Sequence, residues 1–420
     1  MIDRDALNVW NNRRRVGSLW RNALGRIGFR YESSWIAGGG FPISQTLPLR
    51  TADFSPDDGI AHRFFANLLP EGGARENIVR DLKIPDADFE LLRAIGGECA
   101  GALSILPVDG KPSGEHRYHP LSDNELAELV ARRGRISADW PAGERPRLSL
   151  AGAQNKCPVL LRQDRYFLPQ QEAPSSHILK FELADYRHLP AYETFTTRLA
   201  KNIGLPVVEI DLCSIGRARY ARITRYDRLL DASGNIHRLH QEDFCQALGI
   251  GHEKKYQDSG GPSFAQCYCL LQDASTDPAL DTQNLLRWQI FNVLAGNSDG
   301  HAKNLSLLHS PDGQTVLAPF YDLICTRAIE RIDEQLAFDV GDERNPSLIT
   351  PRHWNDFAKK CDINPRFLND LLVETANRLL TSVAPTITAF ETTYGRYPAL
   401  QRIQQIVTKQ SHRTLAQLRK

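Results

Sequence analysis

The sequence predicts an α+β protein of two lobes: a mixed α/β N-terminal lobe with a small subdomain at its start, and a mainly α-helical C-terminal lobe. Three observations predict it. Short runs of alternating apolar residues fill much of the first 228 positions. Beyond Glu242 apolar residues recur at helical spacing, broken by one non-helical insert between Gly296 and Thr326. The chain has 420 residues, 41% of them hydrophobic, enough for two or three domains with cores of their own.

Taken in order, the runs at 7–10 and 26–31 read as small-sheet hairpins separated by Asn, Arg and Gly. Phe64, Phe65, Leu68 and Leu69 then repeat at three-to-four spacing, an amphipathic helix stopped by Pro70, Gly72 and Gly73; residues 89–95 repeat the scheme. Residues 1–110 therefore make an α+β subdomain. After Pro107 and the polar stretch 109–119, Asp123 caps a helix through Leu126, Leu129 and Val130. Residues 111–228 turn to strands (158–162, 177–181, 207–212 and 220–224), with one helix at 192–203 ended by Gly204. The helical lobe takes 229–420.

Charge and cysteine content exclude several classes. Fifty-one Lys plus Arg stand against 50 Asp plus Glu, so no global field points to nucleic acid, membrane or an acidic partner. The basic clusters at 13–15, 132–135 and 254–255 are short, as solvated faces are, though such clusters can also touch RNA or DNA. No signal-peptide segment opens the chain and no 18 apolar residues run together, so no membrane partner is expected. Eight cysteines without a CxxC pair suit a reducing compartment, and the expected location is the cytoplasm. His237, His240 and His252 lack a Cys or carboxylate at zinc spacing.

The insert carries the chemistry. A buried stripe of Leu285, Leu286, Ile290, Phe291, Val293 and Leu294 stops at Gly296 and delivers a polar loop holding Asp299, His301 and Asn304. A strand, a turn at Ser310 to Gly313 and a second strand then return Asp322 to the same loop. An acid, an Asn five residues later and a second acid after a hairpin form the arrangement that kinases use for phosphoryl transfer. The first acid accepts the hydroxyl proton, while Asn and the second acid hold Mg²⁺ with hard oxygen ligands. Asp and Asn also cap ordinary turns, so the spacing alone leaves both readings open.

Other parts of such a machine occur in the order a bilobal kinase requires. Residues 147–156 place small residues between two strands, where backbone N–H groups can approach phosphate; an ordinary hairpin turn fits too, and no Walker A pattern is present. Lys180 in the alternating strand 177–181 can reach the α and β phosphates, or be simply solvated. Glu193 at the start of the next helix is its natural ion-pair partner, or a surface acid. Residues 223–228 end a strand where a kinase has its hinge, and backbone groups at Thr224 and Tyr226 can read an adenine edge. Each part is modest; the run of seven in order is what predicts a protein-kinase-like fold using ATP and Mg²⁺.

At these residues the chain resembles the HipA family of bacterial toxin kinases, serine/threonine kinases of toxin-antitoxin modules. The matching motifs are SLAGAQNK (149–156), HILKF (177–181), TRYDR (224–228), HQEDFCQALG (240–249), NSDGHAKN (297–304) and PFYDL (319–323), with VWNNRRRVG (9–17) and FFANLLPEG (64–72) similar to the family's N-terminal subdomain. The resemblance implies a HipA-like fold with Asp299 as catalytic base, Asn304 and Asp322 as Mg²⁺ ligands and Lys180 as phosphate anchor. It implies an ATP loop of Ala151, Gly152, Ala153, Gln154, Asn155 and Lys156, and an adenine hinge of Thr224, Arg225 and Tyr226. His301 matches the family's histidine between base and asparagine, in a catalytic or a bracing role. Ser149 matches a serine that such kinases autophosphorylate, ejecting the phosphate loop and switching the enzyme off; a phosphate there would repel ATP and pull on arginines such as Arg147. The family commonly has an acid where this chain has Thr224, which leaves backbone recognition at the hinge.

The resemblance further implies a protein substrate such as an aminoacyl-tRNA synthetase, growth arrest as the outcome, and a helix-turn-helix antitoxin (HipB-like) that binds operator DNA. Two other readings keep the architecture: a kinase acting on a lipid or small molecule, and a non-catalytic pseudokinase corepressor. Asp299, Asn304, Asp322 and Lys180 are all intact, which argues against the second.

Overall fold

The structure, a computed structural model, describes residues 6–113, 115–136, 146–152, 154–183 and 185–419. Two compact units interleave along the chain. The first comprises Met1–Leu183, Ser214–Glu253 and Leu308–Gly313; the second comprises Ala184–Cys213, Lys254–Leu307 and Gln314–Lys420. A single cut at 228 therefore does not separate them: 184–213, with Glu193, joins the helical unit, and 229–253 joins the strand-rich one.

The first unit opens with an antiparallel sheet in the spatial order Ile27–Tyr31, Arg14–Arg21, Ala6–Asn11, Leu103–Pro107. Alternation puts Leu7 and Val9, Ile27 and Phe29, and Leu103 and Ile105 into one core with Phe64, Phe65, Phe89 and Leu92 of the helices, and Val16 and Leu19 join it from a strand whose register shifts opposite Val9 and Trp10. Instead of one helix halted by glycines there are two, Ile60–Ala66 and Gly72–Leu82. Glu71 is extended and Gly72 has a φ of 50°, a conformation glycine tolerates, so the breakers that end one helix also launch the next. Asp88–Ile95 follows as expected. The next helix, Asp123–Ala131, is capped by Ser122 and not Asp123: the Ser122 hydroxyl accepts the Glu125 N–H while the Glu125 carboxylate takes the Ser122 N–H, a reciprocal capping box.

A second antiparallel sheet in this unit has Tyr118–Pro120, Arg165–Pro169, Lys156–Arg162, His177–Phe181 and Ala218–Thr224 as successive neighbours. The run expected to be a strand at 207–212 is displaced to Ile210–Ile215. Val207 and Val208 are held instead in a bridge to Phe320, with the Val208 N–H donating to the Phe320 carbonyl at 3.0 Å.

The second unit is helical: Leu189–Asn202, Phe264–Ala274, Pro278–Ala295, Pro351–Lys360, Pro365–Tyr394 and Pro398–Leu418. Four of these begin on proline, whose missing N–H costs nothing in the first turn and whose φ is already helical. Among the described residues no helix is long and apolar enough to cross a membrane.

Candidate active site

The loop from Gly296 is built by burial on one side and exposure on the other. Helix Pro278–Ala295 ends because Gly296 takes a φ of 76°. Asn297 then hydrogen-bonds back to Asn292 at 3.0 Å, and Ser298 is held by Thr326 Oγ1 at 2.8 Å and the Glu334 carbonyl at 3.0 Å. Gly300 lies so close to the helix that a Cβ would stand 2.5 Å from Asn292 Nδ2 and 3.2 Å from the Trp288 ring. Asn297, Ser298 and Gly300 are thus drawn inward while Asp299 alone is left exposed.

Beyond it, a short turn Ala302–Asn304 and the strand segments Ser306–His309 and Thr315–Leu317 bring the chain back. The Ala318 N–H donates to the Ser306 carbonyl at 2.9 Å, and the buried Asp281 carboxylate receives the Leu317 N–H at 2.7 Å, which ties the return strand to the preceding helix. Tyr321 donates its hydroxyl to the Lys303 carbonyl at 2.8 Å. Asp322, in the left-handed region with a φ of 57°, then meets Asn304 as the spacing predicts: Asn304 Nδ2 lies 3.4 Å from Asp322 Oδ2. Asn304 Oδ1 accepts the His301 N–H at 3.0 Å, and an amide oxygen retains a second lone pair.

His301 itself is buried. Burial, with the ammonium groups of Lys255 and Lys303 nearby, pushes it well below its ordinary value, so the ring is neutral. Its ring stands edge-on to Tyr256 at 5.1 Å, and the Tyr256 hydroxyl donates to Asp299 Oδ1 at 2.6 Å. Tyr256 belongs to none of the motifs; it sits in an irregular segment with no periodicity to single it out.

A neighbouring amide and carboxylate carry oxygens of the kind that suits a hard divalent cation, which keeps several waters and binds through one or two carboxylates plus substrate phosphates. Asn304 and Asp322 fit such an ion. Among the described residues no group of three or more His, Cys, Asp or Glu is arranged as an all-protein metal cage.

In the first unit the loop expected to cradle phosphate runs into strand Lys156–Arg162, while Ala153 lies outside the described residues. Gly152 has a φ of 107° and its carbonyl accepts the Glu71 N–H at 3.1 Å; Lys156 Nζ donates to the Ala151 carbonyl at 2.5 Å, and Gln154 Nε2 to the Phe181 carbonyl at 3.1 Å. Register places Lys156 directly opposite Lys180, so two basic side chains issue from one face of the sheet at the loop's end. Lys180 is buried. Leu150, Gln154, Asn155 and Lys156 also border a cavity of about 110 Å³ against Pro70 and Ala74, well below the roughly 300 Å³ of a small-molecule site. Ser149 is wholly buried, its hydroxyl donating to the Leu68 carbonyl at 2.8 Å and its N–H to the Glu98 carbonyl at 2.9 Å. Arg147 is committed to the carbonyls of Arg93 and Ala94 at the end of helix Asp88–Ile95 and of Ile105 in strand Leu103–Pro107, and so is not placed to follow a phosphate on Ser149.

The segment read as an adenine hinge divides. Thr224 is exposed at the end of its strand, and Tyr226 donates its hydroxyl to Gln241 Oε1. Arg225 faces the interior: its N–H donates to the Ser176 carbonyl at 3.0 Å, and its guanidinium meets Glu98 at 3.1 Å and Asp227 at 2.7 Å. Arg228 and Arg238 close on the same Glu98 at 3.0 and 2.6 Å, all of these side chains being buried. Further along, Glu242 accepts hydrogen bonds from the Ser44 hydroxyl at 2.6 Å and the Gln45 N–H at 3.1 Å, and Gln246 donates to the Phe64 carbonyl at 3.0 Å. The motifs at 224–228 and 240–249 therefore clamp the N-terminal subdomain to the second sheet. That role escapes sequence reading because the partners in the N-terminal subdomain, Glu98, Ser44, Gln45 and Phe64, are each more than 100 residues away. Glu193 is buried on helix Leu189–Asn202 of the second unit.

Comparison with known proteins agrees with this architecture. The HipA-like C-terminal domain matches residues 148–383, and the HipA N-terminal domain matches 7–106. The chain is 38% identical over 366 residues to "Putative kinase Y4mE" of Sinorhizobium fredii, covering 85% of this chain and 86% of that protein. It is 31% identical over 373 residues to the serine/threonine-protein kinase toxin HipA of Shewanella oneidensis, covering 85% and 83%. A solved complex of Shewanella oneidensis HipA with HipB and its operator DNA superposes with a TM-score of 0.84 at 27% identity, over 98% of each chain. Such kinases use a nucleotide and a metal in general, the chemistry to which the acid and amide groups of the insert are suited. A matched C-terminal domain spanning more than half the chain, the N-terminal domain before it and a shared two-lobed α+β fold together show that the chain belongs to the HipA family and is a serine/threonine-protein kinase.

Proposed function

We propose that this protein transfers the γ-phosphoryl group of ATP to a serine hydroxyl of a protein, as the toxin of a toxin-antitoxin pair. The observation that carries the reading is the meeting of Asn304 and Asp322 across 3.4 Å, with the exposed Asp299 five residues before that asparagine. MgATP supplies the transferable phosphoryl group when bound, and the cation neutralises charge between its phosphates. Asn304 and Asp322 would hold the cation through oxygen. Asp299 accepts the serine proton, and its position follows from the inward pull on Asn297, Ser298 and Gly300. His301, neutral and buried, braces the loop by fixing Asn304. Lys180, beside Lys156 on one sheet face, anchors phosphate oxygens; residues 151–156 form the loop above them, and Thr224 and Tyr226 offer backbone groups to adenine. Ser149 is the autophosphorylation site, reached only when its loop leaves the Leu68 carbonyl.

A helix-turn-helix antitoxin of the HipB kind, operator DNA engaged through it, an aminoacyl-tRNA synthetase or similar translation protein as substrate, and a cytoplasmic location complete the proposal. The support is the superposition on a HipA, HipB and operator DNA complex. The test is incubation of wild-type and Asp299→Asn protein with labelled ATP and Mg²⁺, followed by phosphopeptide mapping. Label on a protein serine with wild type and a loss of roughly a hundredfold or more with the variant is expected; equal labelling by both would remove Asp299 as the base.

A further inference from the structure

Tyr256 is held against Asp299 and His301 by a built arm. The segment that carries it is clasped to residues 337–344: the Gln257 N–H donates to the Ala337 carbonyl at 3.3 Å, Gln257 Nε2 to Asp339 Oδ2 at 2.8 Å, and the Asp339 N–H to Gln257 Oε1 at 3.2 Å. Arg344 adds an ion pair to Asp258 at 3.0 Å. From this clasp the tyrosine ring rests edge-on against His301, with the Lys255 ammonium 5.5 Å from its centre, and the hydroxyl reaches Asp299 Oδ1 at 2.6 Å.

A general base works on a proton held within hydrogen-bond reach. The Tyr256 hydroxyl donates to Asp299 as an acceptor serine would have to. We infer that Tyr256 is a substrate-side gate of the phosphotransfer site: its hydroxyl stands in for the acceptor hydroxyl on Asp299, and a protein serine engages the base by displacing it. The inference rests on the proposed role of Asp299. Hydroxyl-bearing acceptors whose docking contacts also move the 254–261 segment are favoured over those that merely fit near the base. Apparent affinity for the acceptor is lowered by the fraction of time that the tyrosine occupies the carboxylate.

The test uses full-length Tyr256→Phe, which keeps the ring against His301 and removes only the hydroxyl, and Gln257→Ala, which loosens the clasp. Both are compared with wild type and Asp299→Asn in steady-state transfer from MgATP to a pool of synthetic peptides bearing one serine each, with thermal melting in parallel. The expected result is a KM for peptide about three- to tenfold lower in both gate variants, with kcat and the melting point of Tyr256→Phe unchanged. A fall in kcat at constant KM would make Tyr256 a positioning residue and overturn the gate; no change in either constant would reduce the contact to a surface hydrogen bond and overturn it too. If wild type labels peptide no better than Asp299→Asn, the proposed base falls and the gate with it.

Discussion

Arg225 and Glu98, 127 positions apart, form an ion pair at 3.1 Å in which both side chains are almost wholly buried. Glu98 serves three guanidiniums at once, those of Arg225, Arg228 and Arg238, and Asp227 shares two of them. Ser175 adds its N–H and its hydroxyl to the same Glu98 oxygen, at 2.9 and 2.8 Å. The cluster is what fastens the first sheet to the second.

Removal of its central charge is therefore costly. With Glu98→Gln, three buried guanidiniums remain against the single carboxylate of Asp227, and breaking a buried pair from one side costs about 3–5 kcal/mol. The expected outcome is a melting point lower by about 6–20 °C, at roughly 2–4 °C per kcal/mol for a unit of this size. Thermal denaturation followed by circular dichroism measures it, and a shift below 2 °C would contradict the assignment of this cluster as the clamp.

Acid should open the same clamp. Burial raises the Glu98 pKa, but Arg228, Arg238 and Arg225 outweigh it and hold the carboxyl down at about 2, from an ordinary 4.5. Asp227 is likewise held below its ordinary range by Arg225 and Arg228 against the cost of burial. A folded pKa below the unfolded one gives stability that is fully present above about pH 4.5 and is lost as pH falls toward 2. The loss approaches about 1.4 kcal/mol per pH unit for each carboxylate. Urea midpoints at pH 6, 4 and 3 should fall in that order, and the fall should shrink in Glu98→Gln.

Gly300 sets the position of Asp299. In Gly300→Ala the new methyl meets Asn292 and Trp288, so the loop must shift by about an ångström. Overpacking of this kind costs about 1–3 kcal/mol, and misplacement of the proposed base by that distance should cost about a hundredfold in rate. Kinase activity should therefore fall far more than stability does, a contrast read from kcat and from the melting curve of the same preparation.

Ser149 should behave as a latch. Ser149→Ala loses one buried hydrogen bond to the Leu68 carbonyl, worth about 1 kcal/mol, and should keep activity. Ser149→Asp would bury a carboxylate against that carbonyl and should expel the loop. The readout is faster proteolytic nicking within 146–156 and loss of nucleotide-dependent thermal stabilisation.

Much of this was legible in the residues themselves. The stripe from Leu285 to Leu294, the glycine that ends it and the hairpin return place Asn304 beside Asp322 through contacts local enough for spacing to reveal. The hinge motif was legible only in part, because Arg225 and Arg228 look like hinge flanks until Glu98 is known to lie beneath them. Pairings across 127 and 130 positions leave no periodic trace. At smaller scale, Ser122 and Asp123 are both good caps, and the choice fell to the one whose oxygen faces the Glu125 N–H. Pro70 to Gly73 announced a break correctly, yet nothing local says that the chain re-enters a helix. Tyr256 acts through an arm whose partners, 337–344, lie some 80 residues downstream.

The interleaving of the two units sets a timetable for synthesis. On the ribosome, strand His177–Phe181 emerges with one flank paired and must wait for Ala218–Thr224, made only after the nascent chain has supplied helix Leu189–Asn202 to the other unit. The first unit is not closed until residue 313 of 420 has been translated. A ribosome stalled before that point carries a polypeptide with Lys180 already made and Asp322 not yet synthesised, so a product truncated there lacks the Asn304–Asp322 pair.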